Sequence, residues 1–266
     1  MERFVHRQVE GRGRTDALWV MTQEWRDLLF AHWAVPASVL RGLVPEPLDV
    51  DTFAGSGWLG VVAFRLGAVT LRGLPAIPFA GGFPEVNLRT YARFEGRPGV
   101  CFVSLDAENP LAVTVGRRCF GLPYHRANVG FGGAGARRWL CSRRFGTQAG
   151  MGEIVATYAP VTDLPVEESD TLARWLTDRF CYYWVGGNKQ VIRGDIAHVP
   201  WQLYRARANI SVNTLAQSVG VSLPPEKPLL YYSLGMRTRF WLPCRADEPS
   251  YARLPAEVRT VHGVVG

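Results

Sequence analysis

From Glu85 to Phe94 the chain alternates in character. Glu85, Asn87, Arg89, Tyr91 and Arg93 occupy one phase, and Val86, Leu88, Thr90, Ala92 and Phe94 the other. Successive strand side chains project to opposite sides, so this period of two specifies a strand with one polar and one apolar face. Glu95-Gly96-Arg97-Pro98-Gly99 supplies turn residues, and GVCFVSLDA after it is a second, mostly apolar strand; the two make a hairpin. Asn109-Pro110 then starts a helix, with Asn as N-cap and Pro preset at the first helical position. Leu111, Val113, Val115 and Phe120 predict that this helix is largely buried, and Gly121-Leu122-Pro123 ends it.

Two readings of the polar phase stay open. It is the solvated side of an antiparallel sheet, or it lines a pocket, because a carboxylate, an amide and a guanidinium recur at i, i+2 positions. Glu85, Asn87 and Arg89 together could hold and orient a small acid, and pockets need few but convergent polar groups.

The remaining chain sets the context. Strands are expected around Trp19–Trp33, from Trp58 to a break at Gly67, at Trp139–Phe145 and Gly152–Pro160, and in a hairpin spanning CYYWVGGNKQVIRGDIAHV. Further strands are expected around NISVNTLAQSVGV and in LLYYSLGMRTRFWLP. Short helices are predicted for PASVLRGLVP and VEESDTLARWLTDRF. The Pro/Gly-rich loop PAIPFAGG runs straight into Glu85, where it would form a wall or lid. Strands joined by short turns outnumber helices, which favours a single α+β domain, residues 18–244. Residues 1–17 are read as a peripheral segment and 245–266 as a tail.

Charge and cysteines narrow the function classes. The chain of 266 residues carries a net charge of +7, but no nucleic-acid-binding motif accompanies its arginines, so small anions are the expected partners. No apolar run is long enough for a transmembrane helix and no apolar signal core opens the chain, so a cytoplasmic protein without membrane partners is expected. Whether it forms a homo-oligomer is left open. Five scattered cysteines without C-x-x-C argue for buried thiols rather than zinc or disulfides; Cys119, beside Arg117 and Arg118, is the one candidate for reactivity. His32 and His198 read as structural histidines, and Asp195 is out of phase with His198 for a dyad. Neither a metal nor another cofactor is implied.

PEVNLRTYA, LVPEPLDVD, NPLAVTVGRRCFGLPYH and RGDIAHVPWQL together resemble the DUF2071 (YqjF-like) family, from about Trp25 to Leu242. That family is similar to acetoacetate decarboxylase, whose fold is an antiparallel β-barrel-like sheet with packed helices around a buried cavity. The resemblance implies roles for individual residues. Arg26 stands at a fixed distance before Val44-Pro45-Glu46-Pro47-Leu48, where the decarboxylases have an active-site arginine. Glu85 falls where they have a catalytic glutamate, although the spacing before it differs. Gly116-Arg117 through Pro123 matches their GR-x-x-x-x-x-P segment, after which they carry two lysines, the first the Schiff-base nucleophile. Here Tyr124 and His125 occupy those places.

The chain has only two lysines, Lys189 in a Gly-Gly-Asn-Lys turn and Lys227 among prolines, so lysine Schiff-base chemistry is not expected. The expected activity is general acid/base chemistry on a carboxylated or keto-type molecule: decarboxylation without an amine, dehydration, isomerisation or cyclisation. Glu85, Tyr124 and His125 would be catalytic, and Arg26, Asn87 and Arg89 would bind substrate. The alternative is an organic-acid-binding protein that kept the cavity and lost catalysis.

Overall fold

The computed structural model describes residues 19–249 except 79, 135–136, 147–151 and 162–164. The peripheral N-terminal segment and most of the expected tail therefore lie outside the described residues. Long strands dominate: β1 (Met21–Val35), β2 (Asp49–Val50), β3 (Gly57–Leu71), β4 (Phe83–Phe94), β5 (Arg97–Ala107), β6 (Tyr124–Ala134), β7 (Arg137–Arg144), β8 (Glu153–Pro160), β9 (Cys181–Val185), β10 (Val191–Ala197), β11 (Tyr204–Asn213), β12 (Leu229–Phe240) and β13 (Cys244–Arg245). The helices are α1 (Ala37–Leu40), α2 (Pro110–Phe120), α3 (Thr171–Thr177) and a 3-10 turn at Gln217–Val219. Helix accounts for only 11% of the described residues, so the expected α+β label gives way to a mostly-β single domain.

The topology builds two interiors on one wall. Strands β5-β6-β7-β8-β11-β12-β1-β3-β4 close on themselves through the β4–β5 pairing, giving a nine-stranded barrel. A second circuit runs β12-β1-β3-β4-β5-β9-β10 and closes through a short β10–β12 pairing. Leu29, Ala31, Val61, Ala63, Val86 and Leu88 fill the first interior, facing Ala127, Val129, Leu140 and Ile154. On the second side Phe30, Val62, Phe64 and Tyr91 pack with Tyr182, with Val113 of α2, and with Ala173, Trp175 and Leu176 of α3.

This arrangement explains β4. Both of its faces are buried, so the polar phase is not solvated: Glu85 is 5% exposed, Asn87 4%, Arg89 9% and Tyr91 0%. The β4–β5 hairpin turns at Glu95 and Gly96, both at positive φ, which suits a tight turn between twisted strands.

Several expectations are corrected. Strand β3 runs through Gly67 without a break. In α2 only Val113 and Gly116 are buried, and Leu111 and Val115 are exposed, because residues two apart cannot share one helix face. Helix α3 is limited to Thr171–Thr177, with the Asp170 side chain capping Ala173 N–H at 2.9 Å. The loop before β4 is bridged to β3, Ile77 N–H to Val69 O at 2.8 Å and Gly82 N–H to Leu66 O at 2.7 Å, so it continues the wall.

Candidate functional site

Glu85 and Tyr124 meet because α2 is the crossover between parallel strands β5 and β6. The helix is fixed at both ends. The Asn109 side chain accepts from Leu111 N–H at 2.9 Å and Ala112 N–H at 3.2 Å, and Gly121 ends it at φ 62°. Gly116 lets the Tyr124 ring lie against the helix, since a Cβ there would sit 2.3 Å from the ring. Arg117 Nε donates to Tyr124 O at 2.7 Å. The Gly-Arg pair therefore seats Tyr124. Its hydroxyl donates to Glu85 Oε2 at 2.7 Å.

Burial raises the Glu85 carboxyl to about 7, with the nearby Asp106 charge adding to the rise and the Tyr124 hydrogen bond opposing it. Burial and the Glu85 charge hold the Tyr124 hydroxyl well above its ordinary value. Near neutrality Tyr124 is thus a donor, and Glu85 exchanges its proton readily.

The same face carries Asn87 and Arg89. Arg89 Nη2 donates to Leu176 O, a terminal carbonyl of α3, at 3.1 Å, and its guanidinium lies over the rings of Phe30 and Tyr91, 5.7 Å from each centroid. Tyr91 Oη donates to the same carbonyl at 2.7 Å and lies 2.8 Å from His32 Nε2. Burial, with the Arg89 charge adding to it, lowers the His32 pKa well below its ordinary value, which keeps the ring neutral. Behind Tyr91, Arg179 pairs with Asp51 at 2.7 Å.

Two expected site residues are placed elsewhere. Arg26 pairs across the sheet with Arg65, which pairs with Pro84, the row adjacent to Phe64 and Glu85 and therefore on the opposite face. The strand bulges just after it at Asp27, φ 55°. The Arg26 side chain is 53% exposed and binds Glu24 at 2.6 Å. His125 follows Tyr124 directly and so points the other way, in phase with Ala127 and Val129 of the nine-stranded barrel. It is half-buried, and its pKa is lowered by desolvation first, then by Arg144 and Arg117. Tyr124 and His125 do not act on one space.

Both lysines are exposed. Cys119 is exposed as well. Asp195 binds Arg193 and Arg97, each at 2.9 Å. His198 packs between Phe180 and Trp201.

In sequence His32 reads as a structural histidine and Tyr91 as one more polar strand position, so neither stands out as a site residue. Their alternation with Phe30 and Arg89 was the available signal. Nor does a buried group inside the nine-stranded barrel stand out, where Arg144 binds Asp106 at 2.7 Å and contacts Ser104 and Ser218. Burial pushes Asp106 up to about 6 against the pull of Arg144.

The fold is that of acetoacetate decarboxylase-like proteins. Acetoacetate decarboxylase from Legionella pneumophila superposes with a TM-score of 0.61 at 12% identity, over 92% of this chain and 94% of that one. The enduracididine biosynthesis enzyme MppR, complexed with pyruvate, gives 0.60 at 13% identity, over 87% and 91%. The chain belongs to the DUF2071 family, described as an uncharacterized conserved protein, whose pattern matches residues 22–237. The protein YqjF of Bacillus subtilis is 42% identical over 227 residues, 85% of this chain and 92% of that one.

Proposed function

We propose that this protein is an enzyme for a small carboxylated or keto-type molecule, working by general acid/base chemistry without a lysine Schiff base. The observation that carries the reading is the buried Glu85 carboxyl, raised to about 7 and bonded at 2.7 Å to Tyr124. A carboxyl at that value moves protons in either direction near neutral pH. Ionised Glu85 would take a proton from the carbon beside a keto group, leaving an enolate, and protonated Glu85 would return it to another atom. As Glu85 takes up that proton it releases the Tyr124 O–H, which would then donate to the oxygen on which negative charge develops. Arg89 would hold the acid and Asn87 would orient it. Enolisation of this kind underlies isomerisation, dehydration and cyclisation, and the pyruvate complex of MppR accords with a keto acid in this fold.

An amine route is disfavoured because Lys189 and Lys227 are both exposed, and a nucleophilic lysine needs desolvation or a neighbouring cation. Borohydride reduction in the presence of acetoacetate or pyruvate, followed by mass spectrometry, is expected to leave both lysines unmodified. A reduced adduct on either would overturn the proposal.

A second reading, non-catalytic binding of an organic acid, is favoured by one observation. Arg89 and Tyr91 already hold the end of α3, as residues of a rigid receptor would. Glu85→Gln separates the two readings: an enzyme loses turnover and retains acid binding, whereas a receptor changes in neither respect.

A further inference from the structure

Buried polar side-chain atoms normally find partners. Among the described residues, those without one collect on the second interior: His32 Nδ1, Trp58 Nε1, Asn87 Oδ1, Arg89 Nε and Arg179 Nη2. The others belong to Asn213 and Thr238. Register puts the first four on a single face. His32 pairs with Gly60, Gly60 with Arg89, and Val62 with Asn87; Trp58 precedes Gly60 by two. Gly60 is the window between His32 and Arg89, because a Cβ there would lie 2.7 Å from His32 Cδ2 and 3.6 Å from Arg89 Cγ. Arg179 approaches from behind, its guanidinium 4.7 Å from the Tyr91 ring centroid.

The chemistry of these atoms is mixed. Arg89, Arg179 and Trp58 offer N–H groups, and Asn87 Oδ1 is an acceptor. Tyr91 gives its O–H to Leu176 O at 2.7 Å, so its oxygen accepts from His32. The proton of this neutral imidazole is then on Nε2, and Nδ1 presents a bare lone pair. A plain carboxylate satisfies the donors but sets its own lone pairs against His32 Nδ1 and Asn87 Oδ1. A carboxylate with an O–H beside it meets the donors and also gives His32 Nδ1 a hydrogen to accept.

We infer that the ligand of this site is a hydroxy or enol acid, and that His32 selects it by accepting its O–H at Nδ1 while Arg89 holds the carboxylate. The inference rests on the acid-site reading of Arg89 proposed above and adds the hydroxyl.

The test is calorimetric titration of the full-length protein with matched acids: 3-hydroxybutyrate against butyrate, and lactate against propionate. The hydroxy acid of at least one pair is expected to bind about tenfold more tightly, the worth of one net hydrogen bond. In His32→Gln, whose amide can still donate to Tyr91, that preference is expected to fall to about onefold while the plain acid binds as before. Equal binding within both pairs, or a preference that survives His32→Gln, overturns the hydroxyl inference and leaves the acid site standing; an ordered water filling the space would give this result. Binding of none of the four acids overturns the acid site and the inference together. Should His32→Gln fail to fold, ¹⁵N spectra of the wild-type His32 ring decide the matter. The Nε2–H form with Nδ1 shifting only on hydroxy-acid addition is expected, and the Nδ1–H form overturns the inference.

Discussion

Glu85 and Tyr124 make a pair in which each side chain sets the other's proton affinity. Burial favours the protonated carboxyl, and the 2.7 Å hydrogen bond favours the ionised one. In Tyr124→Phe the opposing contribution is gone, so Glu85 is expected to titrate above its wild-type value of about 7, as read from a pH–rate profile. The same shift has a consequence for stability. The folded carboxyl holds its proton more tightly than the unfolded one, from 4.5 up to about 7. The native state therefore binds more protons in that window, and stability falls as pH rises through it. Glu85→Gln removes this cost. Relative to wild type, the variant is expected to gain roughly 3 kcal/mol between pH 4 and pH 8 in urea unfolding.

At the scale of elements, β4 positions the site and α3 closes it. Leu176 O receives both Arg89 and Tyr91, which satisfies a carbonyl that the helix leaves without an intrahelical partner. Tyr91→Phe removes one of these bonds and strands His32 Nε2, so a loss of about 1–3 kcal/mol is expected in denaturant unfolding. Gly60→Ala would force a Cβ to 2.7 Å from the buried His32 ring. A loss of about 1–3 kcal/mol is expected from this overpacking, again read by denaturant. Much of this level was legible in the sequence. Alternation marked β4, Asn109-Pro110 and Gly121 marked the ends of α2, and the Gly186-Gly187-Asn188-Lys189 turn marked the β9–β10 hairpin. Arg26 was misplaced because the bulge at Asp27 is a tertiary adjustment that leaves no period in the residues. His125 was legible and misread: neighbours on a strand cannot share a face.

Across the whole molecule, the decisive fact is that one wall serves two interiors. A polar strand face looks the same in sequence whether it meets water or a second core, so the burial of Glu85, Asn87 and Arg89 depended on pairings such as β10 with β12 that lie far apart in the chain. The same topology keeps Lys189 and Lys227 outside. Lys189→Ala and Lys227→Ala are each expected to retain activity within about twofold, as is usual for exposed residues away from a site. The proposed chemistry turns on the ionisation of Glu85, and that can be measured without knowing the substrate. Carboxyl-¹³C NMR titration of glutamate-labelled protein, with Glu85→Gln to assign the resonance, reads it directly. A midpoint near 7 is the result expected. A midpoint near 4.5, the ordinary value for glutamate, would mean that the carboxylate is permanently ionised, and would contradict its role as a neutral-pH acid and base.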